Sequence, residues 1–250
     1  MSIHRFFVPI ENFSGDKVTL PPAVQSQLRR VLRHKEGDQV ELMDGSGMVY
    51  RAELVAIADG KLEASLISSF LSTNEARLQL TLHIPLTQRE KFEWILQKGT
   101  EIGVYSFQPY TSLRSLVQSK QISAAKLTRW QEIVREAAEQ SGRAILPFIH
   151  QPVSFERNIQ QITQYNQPVF AGLVDCDLPD LRSAIKRYIR LTDGVHLITG
   201  PEGGFEDMEV TLMKTSGVIP FQLGKRVLRM ETAAIVASSL ILYESNDFQC

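Results

Sequence analysis

The strongest constraint on the fold is a regular alternation of apolar strands and amphipathic helices that begins at about residue 78. Strands are predicted at residues 78–84, 105–110, 169–174, 196–199 and 218–223. Helices are predicted at residues 88–102, 180–190, 206–214 and 231–243, with a further one whose apolar stripe runs from Leu127 to Ala138. Strands separated by helices favour a parallel sheet covered on both faces, so we expect the α/β fold class.

The first 70 residues follow a different pattern. Short strands are predicted at residues 5–8, 39–43, 48–57 and 61–67, with one helix at 23–34. The sequence Asp-Gly-Ser-Gly at 44–47 predicts a turn that joins two of these strands into a hairpin. We therefore expect a small β-barrel that includes one helix. A polar stretch without periodicity at 71–77 marks a boundary, so the predicted domains are 1–72 and 73–250.

The composition is that of an ordinary globular protein, with 43% hydrophobic and 22% charged residues. The longest apolar stretch, residues 233–243, is shorter than the roughly 20 residues that cross a bilayer, and no leader segment is recognisable. We expect a cytoplasmic protein without a membrane span.

Cys176 and Cys250 predict two free thiols and no cysteine metal site. The net charge of −1 means that binding to nucleic acid would depend on local basic patches.

A glycine-rich loop follows the strand predicted at 196–199. Residues 197–205 read Leu-Ile-Thr-Gly-Pro-Glu-Gly-Gly-Phe, and a helix is predicted to begin near Glu206. Three glycines allow the backbone to approach a ligand closely. The loop matches neither the P-loop motif nor the dinucleotide-binding motif. It therefore predicts either a cofactor site of another class or an ordinary strand-to-helix turn.

A second loop, within residues 223–233, is basic. It contains three cations within five positions, Lys225, Arg226 and Arg229. The loop follows a predicted strand, at the end where parallel sheets of this class bind their ligands. A solvated basic loop, in which Glu231 only favours the start of a helix, is the alternative.

Taken together, the two loops resemble a known family. The pairing of residues 198–205 with residues 223–233 is similar to the bacterial 16S ribosomal RNA uridine N3-methyltransferases of the SPOUT superfamily. The agreement extends to residues 4–7, 28–33, 44–46, 91–103 and 136–143. Two positions depart from the family pattern. Lys225 stands where many relatives have proline, and residues 172–177 differ from the histidine-containing loop often found there.

The resemblance implies an N-terminal PUA-like, RNA-binding β-barrel and a C-terminal SPOUT domain with a parallel sheet and a deep trefoil knot. It implies S-adenosyl-L-methionine as the cofactor and methylation at N3 of a specific uridine in 16S ribosomal RNA of the small ribosomal subunit. It also implies a homodimer, and the apolar last helix is predicted to lie in its interface. By position, the cofactor site would be lined by Thr199, Gly200, Gly203, Leu223, Gly224, Val227 and Leu228.

The resemblance places Arg229 at the substrate, and we predict that it is the catalytic residue. N3 of uridine becomes nucleophilic only as its proton leaves and negative charge spreads over O2 and O4. A fixed guanidinium would stabilise that charge. Because guanidinium stays protonated, another group must accept the proton. Glu202 and Glu231 are the candidates, although each could instead brace a loop or a helix end.

RNA contacts are predicted for four arginines of the first domain, with His4 nearby: Arg5, Arg29, Arg30 and Arg33. Arginine can contact phosphates and stack on unpaired bases. A solvated helix face is the alternative. Two other functions remain open at this point. One is methylation of a different RNA, and the other is a non-enzymatic role in RNA binding or ribosome assembly with a vestigial cofactor loop.

Overall fold

The computed structural model describes residues 3–56, 62–118, 122–175, 177–188, 193–245 and 247. The chain forms two compact units. The first comprises Met1–Glu75 and Arg135–Leu146, and the second comprises Ala76–Val134 and Pro147–Cys250. Several sequence predictions fall partly outside the described residues: both cysteines (Cys176 and Cys250), the strand ends predicted at 57 and 61, and the helix end predicted at 189–190.

The first unit contains one six-stranded sheet. Its strands are β1 (Arg5–Phe7), β2 (Phe13–Ser14), β3 (Lys17–Thr19), β4 (Gln39–Met43), β5 (Met48–Ala56) and β6 (Leu62–Leu71). The strand order is β1-β4-β5-β6-β3-β2, and β1 pairs with β4 in parallel while the other pairs are antiparallel. The predicted hairpin is confirmed, because β4 and β5 pair across a turn in which Ser46 N donates to Asp44 Oδ1 over 2.8 Å.

The helix of the first unit is shorter than predicted. Helix α1 spans Pro22–Ser26 and continues as a single π-helical turn over Gln27–Val31. Arg33 adopts a left-handed conformation with φ 58°. A residue in this conformation does not continue a right-handed helix, so the helix ends before the predicted residue 34.

The second unit is built on a seven-stranded sheet. Its strands are β7 (Gln79–Pro85), β8 (Ser106–Thr111), β9 (Phe148–Ile149), β10 (Val153–Ser154), β11 (Val169–Gly172), β12 (Gly194–Ile198) and β13 (Ile219–Phe221). The order is β10-β8-β7-β12-β11-β13, with β9 beside β8, and every described pairing is parallel. The predicted α/β class with a parallel sheet is therefore confirmed.

Within the part of the chain that the structure describes, six helices connect and follow these strands. They are α2 (Arg89–Ile102), α3 (Ala124–Ser141), α4 (Phe155–Ile162), α5 (Leu181–Tyr188), α6 (Asp207–Thr215) and α7 (Met230–Glu244). The sequence reasoning missed α4 and the short strands β9 and β10. Among the described helices, none is long and apolar enough to cross a membrane.

The two faces of the second sheet differ in polarity. Alternate residues of a strand point to opposite faces. On one face, Leu80, Leu82 and other buried residues pack in a single core with side chains of α2, α3, α5 and α7. On the other face, α4 and α6 cover an apolar cluster around Tyr110 and Ile198. The remaining positions of that second face are polar: Gln79, Thr81, His83, Ser106, Gln108 and His196.

The start of β7 is held by a carboxylate from far along the chain. Asp247 accepts hydrogen bonds from the backbone N–H of Arg77 over 2.7 Å and of Leu78 over 3.3 Å. Backbone donors at the beginning of a buried strand need such partners. These two hydrogen bonds, which we call the clasp, satisfy two backbone N–H donors that have no partner within the sheet.

Candidate active site

Three loops meet at one edge of the second sheet. They follow β11, β12 and β13, which are parallel neighbours, so their carboxyl ends lie together. Between the loops and α7 lies a small cavity of about 80 Å³, lined in part by Leu173, Phe221 and Ala237. A large cavity of about 680 Å³ shares Gly172, Gly200 and other residues with it. This edge is where α/β sheets of this kind bind their ligands.

The loop after β12 is anchored to its neighbours through Thr199. The Thr199 hydroxyl and N–H both donate to His83 O over 3.1 Å, and the Tyr110 hydroxyl donates to Thr199 O over 2.5 Å. A Cβ at Gly200 would lie 2.9 Å from the Phe205 ring. Only glycine therefore fits at position 200 while Phe205 keeps its place.

The loop after β13 leaves open space at Gly224. This residue has φ +94°, which favours glycine, and its N–H donates to Gln222 Oε1. A Cβ built there would meet no protein atom within 4 Å. Leu223, Gly224 and Leu228 all line the small cavity. The loop therefore offers an apolar wall with free space beside its glycine.

The structure brings most of the predicted cofactor residues together. Five of them line the small cavity: Thr199, Gly200, Leu223, Gly224 and Leu228. Val227 lines the large cavity. Gly203 lines neither of these two cavities, since its Cα faces Arg114 and its carbonyl accepts from Arg114 Nη1 over 2.9 Å.

Arg229 lies at the N-terminus of α7 and lines the large cavity. Its side chain is exposed, and it has no ion pair or hydrogen bond to another described residue. A second cation of this cavity, Lys91, is already paired with Glu202 at 3.2 Å. The guanidinium of Arg229 is therefore available to a ligand in a way that the Lys91 ammonium is not.

Comparison with known proteins identifies the family. Residues 74–242 match the family model of the RNA methyltransferase domain, and residues 28–67 match that of the RNA methyltransferase PUA domain. The chain is 37% identical over 238 residues to the ribosomal RNA small subunit methyltransferase E of Synechocystis, covering 95% of this chain and 77% of that protein. It belongs to this family of RNA methyltransferases. The predicted family is confirmed.

Other members agree with this assignment. The Bacillus subtilis protein of the same name is 31% identical, over 86% of this chain and 85% of the relative. A crystal structure of the Neisseria gonorrhoeae protein bound to S-adenosyl methionine has a TM-score of 0.86 at 28% identity, covering 97% and 98% of the two chains. A putative methyltransferase from Legionella pneumophila in complex with the same cofactor has a TM-score of 0.85 at 29% identity, covering 98% of each chain.

The two candidate proton acceptors lie in different environments. Glu202 lines the large cavity, and its Oε1 accepts from the Thr87 hydroxyl over 2.5 Å and from Lys91 Nζ. Burial alone would raise the pKa of Glu202, but these hydrogen bonds outweigh it and hold the pKa below its ordinary value. Glu231 does not line either cavity, and its buried Oε2 has no hydrogen-bond partner among the described residues.

Sequence reasoning missed two further residues of the large cavity, Asp175 and Asp207. Asp175 belongs to the loop after β11, where the family resemblance is weakest. Asp207 lies in the first turn of α6, where an acidic residue is expected for the helix dipole alone. The placement of Asp175 after a parallel strand that neighbours the glycine loop's strand was the available signal.

The predicted RNA-binding arginines of the first unit fall into two groups. Arg29, Arg30 and Arg33 are exposed on one short segment, and none has an ion-pair partner within the described residues. Arg5 instead lies against Glu41, with Nε to Oε2 at 2.8 Å. Three of the four arginines are thus free to contact a ligand, while Arg5 is engaged by a buried carboxylate.

Proposed function

We propose that this protein transfers a methyl group from S-adenosyl-L-methionine to N3 of a specific uridine in 16S ribosomal RNA of the small ribosomal subunit. The observation that supports this most directly is the convergence of two glycine loops and the unpaired Arg229 on one pair of cavities. The relatives named for small-subunit ribosomal RNA support the substrate class. The reaction takes place in the cytoplasm, where ribosomal subunits are assembled.

The residues of the two cavities fit S-adenosylmethionine. Leu223 and Leu228 offer apolar surface to an adenine ring, and the open space at Gly224 lets the backbone approach a ligand. Asp175 and Asp207 in the large cavity complement the positive charges of the cofactor. The two solved relatives that hold this cofactor add independent support. When bound, the cofactor supplies an electrophilic methyl group.

The chain's own task is to make the uridine nucleophilic. Loss of the N3 proton leaves negative charge on O2 and O4, and Arg229 stabilises that charge as it forms. A preorganised donor of this kind typically contributes about 3 to 4 kcal/mol to transition-state stabilisation. Since Arg229 has no partner among the described residues, its guanidinium requires no ion pair to be broken before it engages the substrate.

Glu202 is the better placed proton acceptor of the two candidates. It lines the same cavity as Arg229, whereas Glu231 does not. The lowered pKa of Glu202 makes it a weak base, so its action depends on Arg229 to acidify the uridine. Lys91, paired with Glu202, holds the carboxylate in the cavity.

The first 72 residues act as a PUA-like, RNA-binding barrel, and residues 73–250 form the SPOUT methyltransferase domain with its trefoil knot. The match of residues 28–67 to the RNA methyltransferase PUA domain supports the first assignment. Arg29, Arg30 and Arg33 contact the RNA backbone, because they form an exposed cluster without internal partners. Arg5 contributes to the same basic surface through the part of its guanidinium that Glu41 leaves free.

The protein acts as a homodimer in which α7 contributes to the interface. Helix α7 buries Ala234, Ala237 and Ile241 in its own unit. Its outer side still exposes apolar side chains, with Val236, Leu240 and Tyr243 at 38%, 41% and 65% exposure. Apolar residues spaced four and three positions apart form one stripe on a helix, and a stripe of this kind is typical of an interface.

The test is methylation of ribosomal RNA from cells that lack this protein. Purified protein with labelled S-adenosylmethionine should methylate assembled small subunits or their 16S RNA at one uridine, located by mass spectrometry. The Arg229→Ala variant serves as the matched control. If the protein methylates transfer RNA and not 16S ribosomal RNA, the proposed substrate is wrong. Failure to bind the cofactor in calorimetry would favour the non-enzymatic RNA-binding alternative.

A further inference from the structure

The second sheet carries another cavity, separate from the two described above. It has a volume of about 560 Å³ and lies on the polar face of β7, β8 and β12, below α4. None of the described residues that line it also lines the small or the large cavity. Strands of a parallel sheet are normally apolar on both faces, so this polar patch requires an explanation. We call it the polar cavity.

The wall of the polar cavity is rich in amides and imidazoles. Among the described residues, the wall contains six glutamines, one asparagine, three histidines, two tyrosines and one arginine, and no carboxylate or lysine. The described residues offer no group of three His, Cys, Asp or Glu that could hold a metal ion. The wall is therefore suited to a neutral, polar ligand rather than to a cation.

Two buried polar atoms of this wall lack partners. Asn158 is 1% exposed and His196 is 6% exposed. The Nδ2 of Asn158 and the Nε2 of His196 have no hydrogen-bond partner among the described residues. A buried polar group without a hydrogen bond destabilises the folded state, so such atoms are normally satisfied by a ligand or by water.

A chain of hydrogen bonds through His83 connects the Asn158 and His196 side chains. His83 Nδ1 donates to Asn158 Oδ1 over 2.8 Å, which leaves His83 Nε2 to accept from His196 Nδ1 over 2.9 Å. Burial lowers the pKa of both histidines, so both rings are neutral near pH 7. The Nε2 of His196 therefore presents a lone pair, while Asn158 presents an N–H donor. Rotation of the Asn158 amide would reverse the chain and exchange donor and acceptor.

Two tyrosines provide aromatic surface at the mouth of the polar cavity. Tyr165 is 59% exposed, and its ring lies 5.4 Å from that of His196. Tyr105 is 39% exposed and lines the same cavity. Exposed aromatic rings beside hydrogen-bonding groups are the usual means by which proteins hold unpaired bases.

We propose that the polar cavity is a second binding site and that it takes a nucleobase, either from a free nucleoside or from an unpaired RNA residue. Every nucleobase has an edge on which a donor and an acceptor are adjacent. Asn158 supplies an unpaired donor and His196 an unpaired acceptor, which are the two kinds of group that such an edge can engage. The proposal does not depend on the methyl-transfer reaction, because it concerns residues that lie outside the cofactor cavities.

The experiment follows the imidazole nitrogens of His196 in ¹⁵N-labelled protein by NMR. Uridine and adenosine, added separately at millimolar concentration, should shift the Nε2 signal saturably. The Tyr165→Ala variant should weaken binding about tenfold, the scale of one lost base stack. This variant is at an exposed position and keeps the test valid if His196→Phe, which should abolish the response, fails to fold. Arg229→Ala, altered in the large cavity only, should bind nucleosides at His196 like the unaltered protein.

A single-stranded oligouridylate distinguishes the two sources of the base. Tighter binding of the oligonucleotide than of uridine identifies an RNA residue, and equal binding identifies a free nucleoside. An Nε2 signal that no nucleoside moves would overturn the proposal. A signal that moves with protein concentration alone would also overturn it, since a second copy of the chain would then cover the cavity.

Discussion

Acidification from pH 7 to pH 5 should destabilise the second unit through its buried histidines. His196 is 6% exposed, and burial, followed by the nearby charge of His150, lowers its pKa from 6.5 to about 4. In the unfolded chain the same ring takes up a proton below about pH 6.5. The contribution of His196 to the free energy of unfolding is therefore fully present above pH 6.5 and is lost as the pH falls toward 4.

The magnitude follows from the gap between these two pKa values. His196 alone accounts for roughly 3 kcal/mol between pH 6.5 and 4, of which roughly 2 kcal/mol is lost by pH 5. His83 shifts the free energy in the same direction, because burial also lowers its pKa well below the ordinary value. The carboxyls of Glu93 and Glu202 have lowered pKa values, so their contributions to the free energy of unfolding are lost only below about pH 4.5.

Urea unfolding at pH 7, 6 and 5 measures this loss. Both tryptophans, Trp94 and Trp130, belong to the second unit, so their fluorescence reports on that unit. The His196→Phe variant should be less stable at pH 7 but should lose about 2 kcal/mol less than the unaltered protein between pH 7 and pH 5. A free energy of unfolding that stays constant from pH 7 to pH 5 would refute the reasoning.

Three further predictions concern the proposed methyl transfer. Arg229→Ala should lower the single-turnover rate at saturating RNA and cofactor by about a hundredfold while cofactor affinity stays unchanged, and a near-normal rate would exclude the catalytic role. Gly224→Val should abolish S-adenosylmethionine binding in calorimetry without loss of cooperative unfolding, whereas unchanged affinity would identify an ordinary turn. Leu240→Glu should convert the dimer to a monomer in sedimentation, and Met208→Glu, at an exposed apolar position on α6, should not; a monomeric unaltered protein would contradict this prediction.

The fold of the second unit was predictable where its elements are long. The apolar strands and amphipathic helices repeat over enough residues for their periodicity to be read. Helix α4 has only eight residues, and β9 and β10 have two each, so their patterns are too short to stand out. A signal for α4 was present, because Ser154 caps it and Phe155, Ile159 and Ile162 follow at helical spacing.

The candidate site was predictable mainly through the resemblance of its two loops. From residue types alone, the glycine-rich loop could equally have been an ordinary turn. In the structure, a side chain at Gly200 would collide with the Phe205 ring. The role of Gly203 beside Arg114 could not be read from the sequence, because the two residues are 89 positions apart. The polar cavity could not be predicted from the sequence for the same reason, because the residues of its wall come from separate segments between residues 79 and 196.

The clasp between Asp247 and the start of β7 has a consequence for synthesis. Arg77 and Asp247 are 170 positions apart, so a ribosome that adds about 5 to 20 residues per second needs roughly 10 to 30 s to make the second after the first. For most of this interval β7, which lies inside the sheet between β8 and β12, also lacks its partner β12. The nascent chain therefore exposes an open strand edge for many seconds, and such an edge is a substrate for chaperones and a risk for aggregation.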